Sequence, residues 1–257
     1  MYLPIDLTTY QPATNLLANR VILVTGAGDG IGRAAALAYA QHGATVLLHG
    51  RTLTKLEAVY DEIERRGGAQ PALLPLNLTT AKLDDYLSIQ HTIEEKLGRL
   101  DGILHNAAML GSLTPLQMYD PQMWDEVMNV NLRAPFQLTQ ALLPLLRQSA
   151  DASVIFTTSS VGRQVKANWG AYAISKQGIE GLSSLFAEEL ANSSNIRFNC
   201  INPGATRTHM RAMAYPKEDP QKLPAPEDIM AAYLYLMGED STGLTGQSLD
   251  VPRREWA

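Results

Sequence analysis

Apolar residues fall in two rhythms along this chain. Unbroken runs rich in β-branched residues predict buried strands over 20–25 (Arg20-Val21-Ile22-Leu23-Val24-Thr25), 44–48, 71–78, 102–108, 153–158, 196–202 and 246–251. Between them, apolar positions recur every three or four residues and predict helices over 31–42, 53–66, 81–97, 121–147, 171–191 and 228–237. Gly43 and the Gly67-Gly68 pair stand where the first two helices must stop. Strand and helix alternate at a spacing that suits crossovers, which predicts right-handed βαβ units and a parallel sheet. The expectation is an α/β fold, a doubly wound parallel sheet in a single domain over 20–257. An extended N-terminal arm over 1–19 precedes it and is expected to pack on a neighbour. No linker, internal repeat or low-complexity stretch points to a second domain. Residues 205–226 read as a long Pro- and Met-containing loop, a candidate substrate lid.

Composition narrows the function classes. The net charge of -5, with no basic run, argues against a nucleic-acid partner. No apolar stretch reaches the length of a membrane span, and Met1 to Tyr10 lacks the features of a signal peptide. A cytoplasmic location without membrane contact is therefore expected. Cys200 is the single cysteine, so no intrachain disulfide can form. It sits among apolar residues and reads as a small buried hydrophobe, with a catalytic thiol as the remote alternative. No metal site is expected.

Candidate chemistry begins in the turn after the first strand, Gly26-Ala27-Gly28-Asp29-Gly30-Ile31-Gly32. Glycines there let backbone approach a pyrophosphate, and the helix N-terminus that follows offers free amides and a positive dipole end. Gly26, Gly28, Asp29, Gly30, Ile31 and Gly32 are candidate cofactor contacts, although a carboxylate at Asp29 opposes a phosphate. The second strand ends His49-Gly50-Arg51, where an NAD site usually carries an acidic residue for the ribose 2′-hydroxyl. The planar fork of Arg51 suits a 2′-phosphate instead, so NADP(H) is expected ahead of NAD. A solvated arginine at a strand end is the alternative. Further on, Tyr172 and Lys176 lie four apart and share a helix face. An ammonium beside a phenol favours the phenolate, so the pair could pass a proton to or from an alcohol or carbonyl. Asn131 is polar within an apolar helical stretch; it could kink the helix or hold a water near the active site.

Together these motifs closely resemble the short-chain dehydrogenase/reductase family in its compact form, over nearly all of residues 20–250. The carriers are Thr25-Gly26-x-x-x-Gly30-x-Gly32, Asn106-Ala107, Asn131, Ser159, Tyr172-x-x-x-Lys176, and Asn202-Pro203-Gly204 followed by Thr208. Ser159 stands thirteen residues before Tyr172, as the family's catalytic serine does. The resemblance implies a Rossmann fold and an NADP(H)-dependent hydride transfer between nicotinamide and a carbonyl or alcohol. It implies Tyr172 as general acid/base, and Lys176 binding the nicotinamide ribose and lowering the phenol pKa. Ser159 would steady the substrate oxygen, and Asn131 would hold a relay water. Asn77, Leu78, Asn106, Ala107, Pro203, Gly204, Thr206 and Thr208 would contact the cofactor. The chain departs from the family at Asn77, where an Asp is usual, at Ala108, at His105, and in lacking an Asp-Gly-Gly ending. Leu249-Asp250-Val251-Pro252-Arg253-Arg254 stands there instead and puts the C-terminal packing in doubt.

Met109, Leu110, Trp169, Met210, Met213 and Tyr215 suggest an apolar or aromatic carbonyl substrate. Arg163 could meet an anionic group or be solvated. A homo-oligomer, dimer or tetramer, is expected through the helices over 121–147 and 171–191. Leu182, Leu185, Phe186 and Leu190 could serve either that interface or the core. Two rivals to a carbonyl reductase remain open: an NADP(H)-binding scaffold or sensor of the same fold, and an isomerase or dehydratase. The latter tend to carry an appended substrate part that is absent here.

Overall fold

The computed structural model describes residues 6–252; residues 1–5 of the arm and the Arg253-Arg254 tail lie outside the described residues. Seven strands alternate with helices among them. In chain order these are β1 (Val21–Thr25), α1 (Gly30–Gln41), β2 (Thr45–Gly50), α2 (Leu53–Arg65), β3 (Ala72–Pro75), α3 (Leu83–Leu97), β4 (Gly102–His105) and α4 (Pro121–Met128). Then follow α5 (Ala134–Leu146), β5 (Ser153–Thr157), α6 (Ser160–Arg163), α7 (Gly170–Leu190), β6 (Arg197–Asn202), α8 (His209–Ala214), α9 (Met230–Met237) and β7 (Ser248–Asp250). The strand order is β3-β2-β1-β4-β5-β6-β7, all parallel. The order reverses between β1 and β4, and a crevice must open there beyond the carboxyl ends of the strands.

Alternation along the strands sends successive side chains to opposite faces. Ile22, Val24, Val46, Leu48, Leu104 and Ile155 pack with α1, α2 and α9. Leu23, Leu47, Ile103, Val154, Phe156 and Phe198 pack with α3, α5 and α7. The central strands are buried on both faces, which is why they read as unbroken apolar runs.

Three expectations are corrected. The arm packs on its own molecule: Leu7, Tyr10, Leu16 and Leu17 are buried in the α1–α9 core, and Tyr10 stacks edge-on against Tyr235. The stretch 205–226 contains α8 and a short 3₁₀ turn, Pro220–Lys222. Thr208 accepts from the Arg211 amide to start α8, and Arg211 grips Glu218 through two bonds of 2.6 and 2.7 Å. The predicted helix over 121–147 is interrupted at Asn129–Arg133 by a π-helical turn.

The missing Asp-Gly-Gly ending is replaced by a clamp. Arg163 binds Asp250 at 2.8 Å and Ser248 at 2.8 Å, and reaches Glu180 at 3.2 Å. It ties α6, α7 and β7 together at an exposed position, with its guanidinium already engaged by two carboxylates. On α7, Phe186 is buried and stacks on Phe198, whereas Leu185 is exposed. Among the described residues, no helix is long and apolar enough to cross a membrane.

Candidate active site

A cleft of about 770 Å³ opens beyond the carboxyl ends of β1, β2, β4 and β5. It collects most of the predicted contacts: Gly26, Gly28, Asp29, Gly30 and Ile31 in the first turn; Arg51 after β2; Asn77 and Leu78 after β3. Asn106 and Ala107 after β4, Ser159, Tyr172 and Lys176, and Pro203, Gly204, Thr206 and Thr208 after β6 complete it. Gly32 and Asn131 do not line it.

Gly32 acts from behind. A side chain there would overlap the Gly26 carbonyl and crowd the Asn106 amide, so only a bare Cα lets α1 start so close to the sheet. Thr25 closes the same corner: its hydroxyl accepts from the Asn106 and Ala107 amides at 2.9 and 3.0 Å, pinning the ends of β1 and β4 together. Asn77 accepts from the Thr79 amide at 3.1 Å and shapes its own turn. The apparent conflict at Asp29 is resolved by a residue the sequence reading missed. Asp29 caps α1 by accepting from the Gly30 amide, and Lys55 binds its carboxylate at 2.5 Å. No local pattern links the two, which are 26 positions apart. Arg51 makes no ion pair among the described residues and remains available to a phosphate at the end of β2. The cleft therefore fits a phosphorylated dinucleotide: a backbone cradle, a helix N-terminus and unspent positive charge.

At the other end, α7 carries Tyr172 and Lys176. Burial pushes the phenol up to about 12, and the Ser159 hydroxyl works against that shift. The expected depression by Lys176 is absent. Its ammonium lies 5.6 Å from the centroid of the Tyr172 ring and donates to the Thr157 carbonyl at 2.8 Å. Burial also pulls Lys176 down to about 8. Desolvation has won over the pair attraction because both groups are deep in the protein.

Ser159 precedes α6, which lies tight on α7. A Cβ at Gly162 would stand 2.9 Å from the Lys176 backbone, so a glycine sets the distance between the serine and the tyrosine. Asn131 is buried in the π turn. Its amide donates to the Met109 carbonyl at 2.9 Å and to Ser175 at 3.0 Å, and its oxygen accepts from the Met109 amide at 2.7 Å. Both amide hydrogens are spent, so a relay water at Asn131 would have to donate to one of its oxygens. Ser175 passes the contact on to the Tyr172 carbonyl at 2.8 Å.

His105 is buried, 2.8 Å from the Thr139 hydroxyl and stacked on Phe156 at 4.9 Å. His49 is buried with neither ring nitrogen partnered among the described residues. Cys200 is buried and its thiol is pushed up to about 12 by desolvation, which fits a small hydrophobe. Tyr172 shares a separate apolar cluster with Leu110, Val161 and Trp169, against which Met210, Ala214 and Tyr215 of the 205–226 stretch pack. Among the described residues, no cluster of potential metal ligands occurs.

The profile of the short chain dehydrogenase family matches residues 20–219. The chain is 52% identical over 242 residues to the Escherichia coli oxidoreductase YciK, covering 94% of this chain and 95% of YciK. A Shigella flexneri short chain dehydrogenase solved with NADP superposes with a TM-score of 0.90 at 51% identity, covering 93% of this chain and 99% of that one. An Escherichia coli short chain dehydrogenase solved with NADPH gives 0.91 at 52% identity, covering 94% and 100%.

Proposed function

Because this chain belongs to the short-chain dehydrogenase/reductase family and is an oxidoreductase, we propose that it reduces a carbonyl compound with NADPH, Tyr172 giving the proton. The observation that carries this reading is the phenol itself. It is buried, keeps its proton at neutral pH as an ordinary phenol does, and lines one cleft with Ser159 and Lys176. It faces the same cleft that Arg51 lines at the far end. Bound nicotinamide would supply the hydride. Ser159 would donate to the substrate oxygen as negative charge builds there, which is where a donor lowers a barrier. Lys176 would hold the nicotinamide ribose and restore the proton to Tyr172. Asn131 acts as a positioning residue through Met109 and Ser175. The NADP and NADPH complexes of the two relatives above support the choice of cofactor. Phe136, Ile174 and Leu185, exposed on α5 and α7, support a homo-oligomer built on those helices.

One experiment tests acid and cofactor together. Tyr172→Phe should cut carbonyl reduction by on the order of 10³-fold while NADPH still binds. Arg51→Asp should erase a preference for NADPH over NADH. A Tyr172→Phe variant that keeps most of its rate means the acid is misassigned. Equal affinity of the unaltered protein for the two cofactors removes the role of Arg51.

A further inference from the structure

The charges of the cleft are lopsided for an acidic protein. Among its described lining residues Asp29 is the one carboxylate, and Lys55 neutralises it; Arg51, Lys176 and Arg211 line it as well. A dinucleotide accounts for Arg51, Lys55 and Lys176. At the other end Arg211 is paired with Glu218, and Lys166 stands outside the lining but over two of its aromatic walls.

There, Tyr215 is held between two cations. The Arg211 guanidinium lies 3.7 Å from its ring centroid and is neutralised by Glu218. The Lys166 ammonium lies 5.0 Å from the same ring, 5.7 Å from Trp169 and 3.2 Å from the Tyr215 hydroxyl. Lys166 is exposed and has no carboxylate partner among the described residues. Most lysines here also lack one among the described residues. This one is drawn in over two rings that wall the pocket, where cation–π attraction holds it. The wall leads to the chemistry: Trp169 is 5.8 Å from Tyr215 and 5.8 Å from Tyr172, centroid to centroid. Leu110, Trp169 and Met210 share one apolar cluster with Tyr172, and Lys166, which does not itself line the cleft, lies against the Trp169 and Tyr215 rings of that cluster.

We propose that the substrate is an apolar, ring-sized ketone or aldehyde that also bears an anionic group, and that Lys166 selects it by pairing with that group. This rests on the carbonyl-reductase reading above. Selection operates in binding and leaves the hydride and proton steps alone, so it belongs to KM.

The probes are para-acetylbenzoate and para-methylacetophenone, which share a body and differ in charge. With NADPH, the unaltered protein should favour the carboxylate in kcat/KM by about tenfold, the size of one partly exposed charge-assisted hydrogen bond. Lys166→Met should bring that ratio to about one through KM with kcat for the carboxylate retained, and added salt should erode the preference in the unaltered protein. Equal kcat/KM for the two ketones, or a preference that survives Lys166→Met, overturns the proposal and leaves the reductase reading standing. Reduction of neither ketone by a protein that binds NADPH counts against both.

Discussion

Gly162 is the residue on which the spacing of the proposed active site depends. It brings α6 against the backbone of Lys176, with 2.9 Å between an imagined Cβ and three atoms of that residue. Those are mostly backbone atoms of a long buried helix, which cannot move aside. Gly162→Ala should therefore displace Ser159 from Tyr172. We expect kcat/KM to fall by on the order of 10²-fold with NADPH affinity nearly kept, because small misplacements are costly to an oriented reaction. Steady-state kinetics beside cofactor titration reads this directly, and an undiminished kcat would show that α6 does not set the serine. At this scale the sequence was informative about identity and silent about energetics. Tyr172 and Lys176 were legible from helical spacing only in the company of Ser159 and the glycine turn. The direction of the phenol's shift was not, since it depends on how much protein surrounds the hydroxyl. Lys55 was invisible for a similar reason: its partnership with Asp29 joins the start of α1 to α2, 26 positions apart.

Among the elements, the interrupted helix over 121–146 is the most instructive. Asn131 breaks its apolar pattern and allowed a kink there, but nothing local specifies a change of hydrogen-bond register. The π turn exists because Asn131 reaches the backbone of Met109, 22 positions earlier. π turns inside helices recur at functional sites, and here one carries the wall of the cleft. Asn131→Ala should leave the Met109 amide and carbonyl without partners. A loss of about 1–3 kcal/mol in unfolding free energy is expected for each buried group left unsatisfied. Denaturant titration checks it, and a loss below the lower figure would mean that water takes over those bonds. The lid shows the same limit of local reading. Residues 205–226 looked loop-like because Pro and short apolar runs dominate. Thr208 and the Arg211–Glu218 grip nevertheless give it structure, and α8 presents Met210 and Ala214 to the phenol.

Taken whole, the molecule keeps two histidines neutral inside the sheet. Burial pulls His49 down to about 4; burial, with coupling to His49 and Lys176, pulls His105 down to about 3. Free histidine titrates near ~6.5. Above that value both folded and unfolded chains are neutral there, and no stability depends on pH. Below it the unfolded chain takes up protons that the folded one refuses, so stability falls as pH falls from ~6.5 toward 4. Each histidine contributes up to about 1.4 kcal/mol per pH unit in that window. His49→Leu should reduce the slope by roughly half and, by removing two unpartnered nitrogens, stabilise the protein at neutral pH. Urea midpoints across the window test it; an unchanged slope would mean that His49 is not held neutral. What the chain's own order of residues determined was the α/β alternation, the glycine turn, and the Tyr172–Lys176 pair with Ser159 before it. These are short-range facts, set by side-chain period and by which residues a turn or helix face admits. What only tertiary structure decided was the return of the arm onto α9, the π turn, the Arg163 clamp, the neutralising of Asp29 and the raised phenol pKa. Each depends on groups far apart in sequence meeting in a low-dielectric interior, and spacing along the chain carries no record of that.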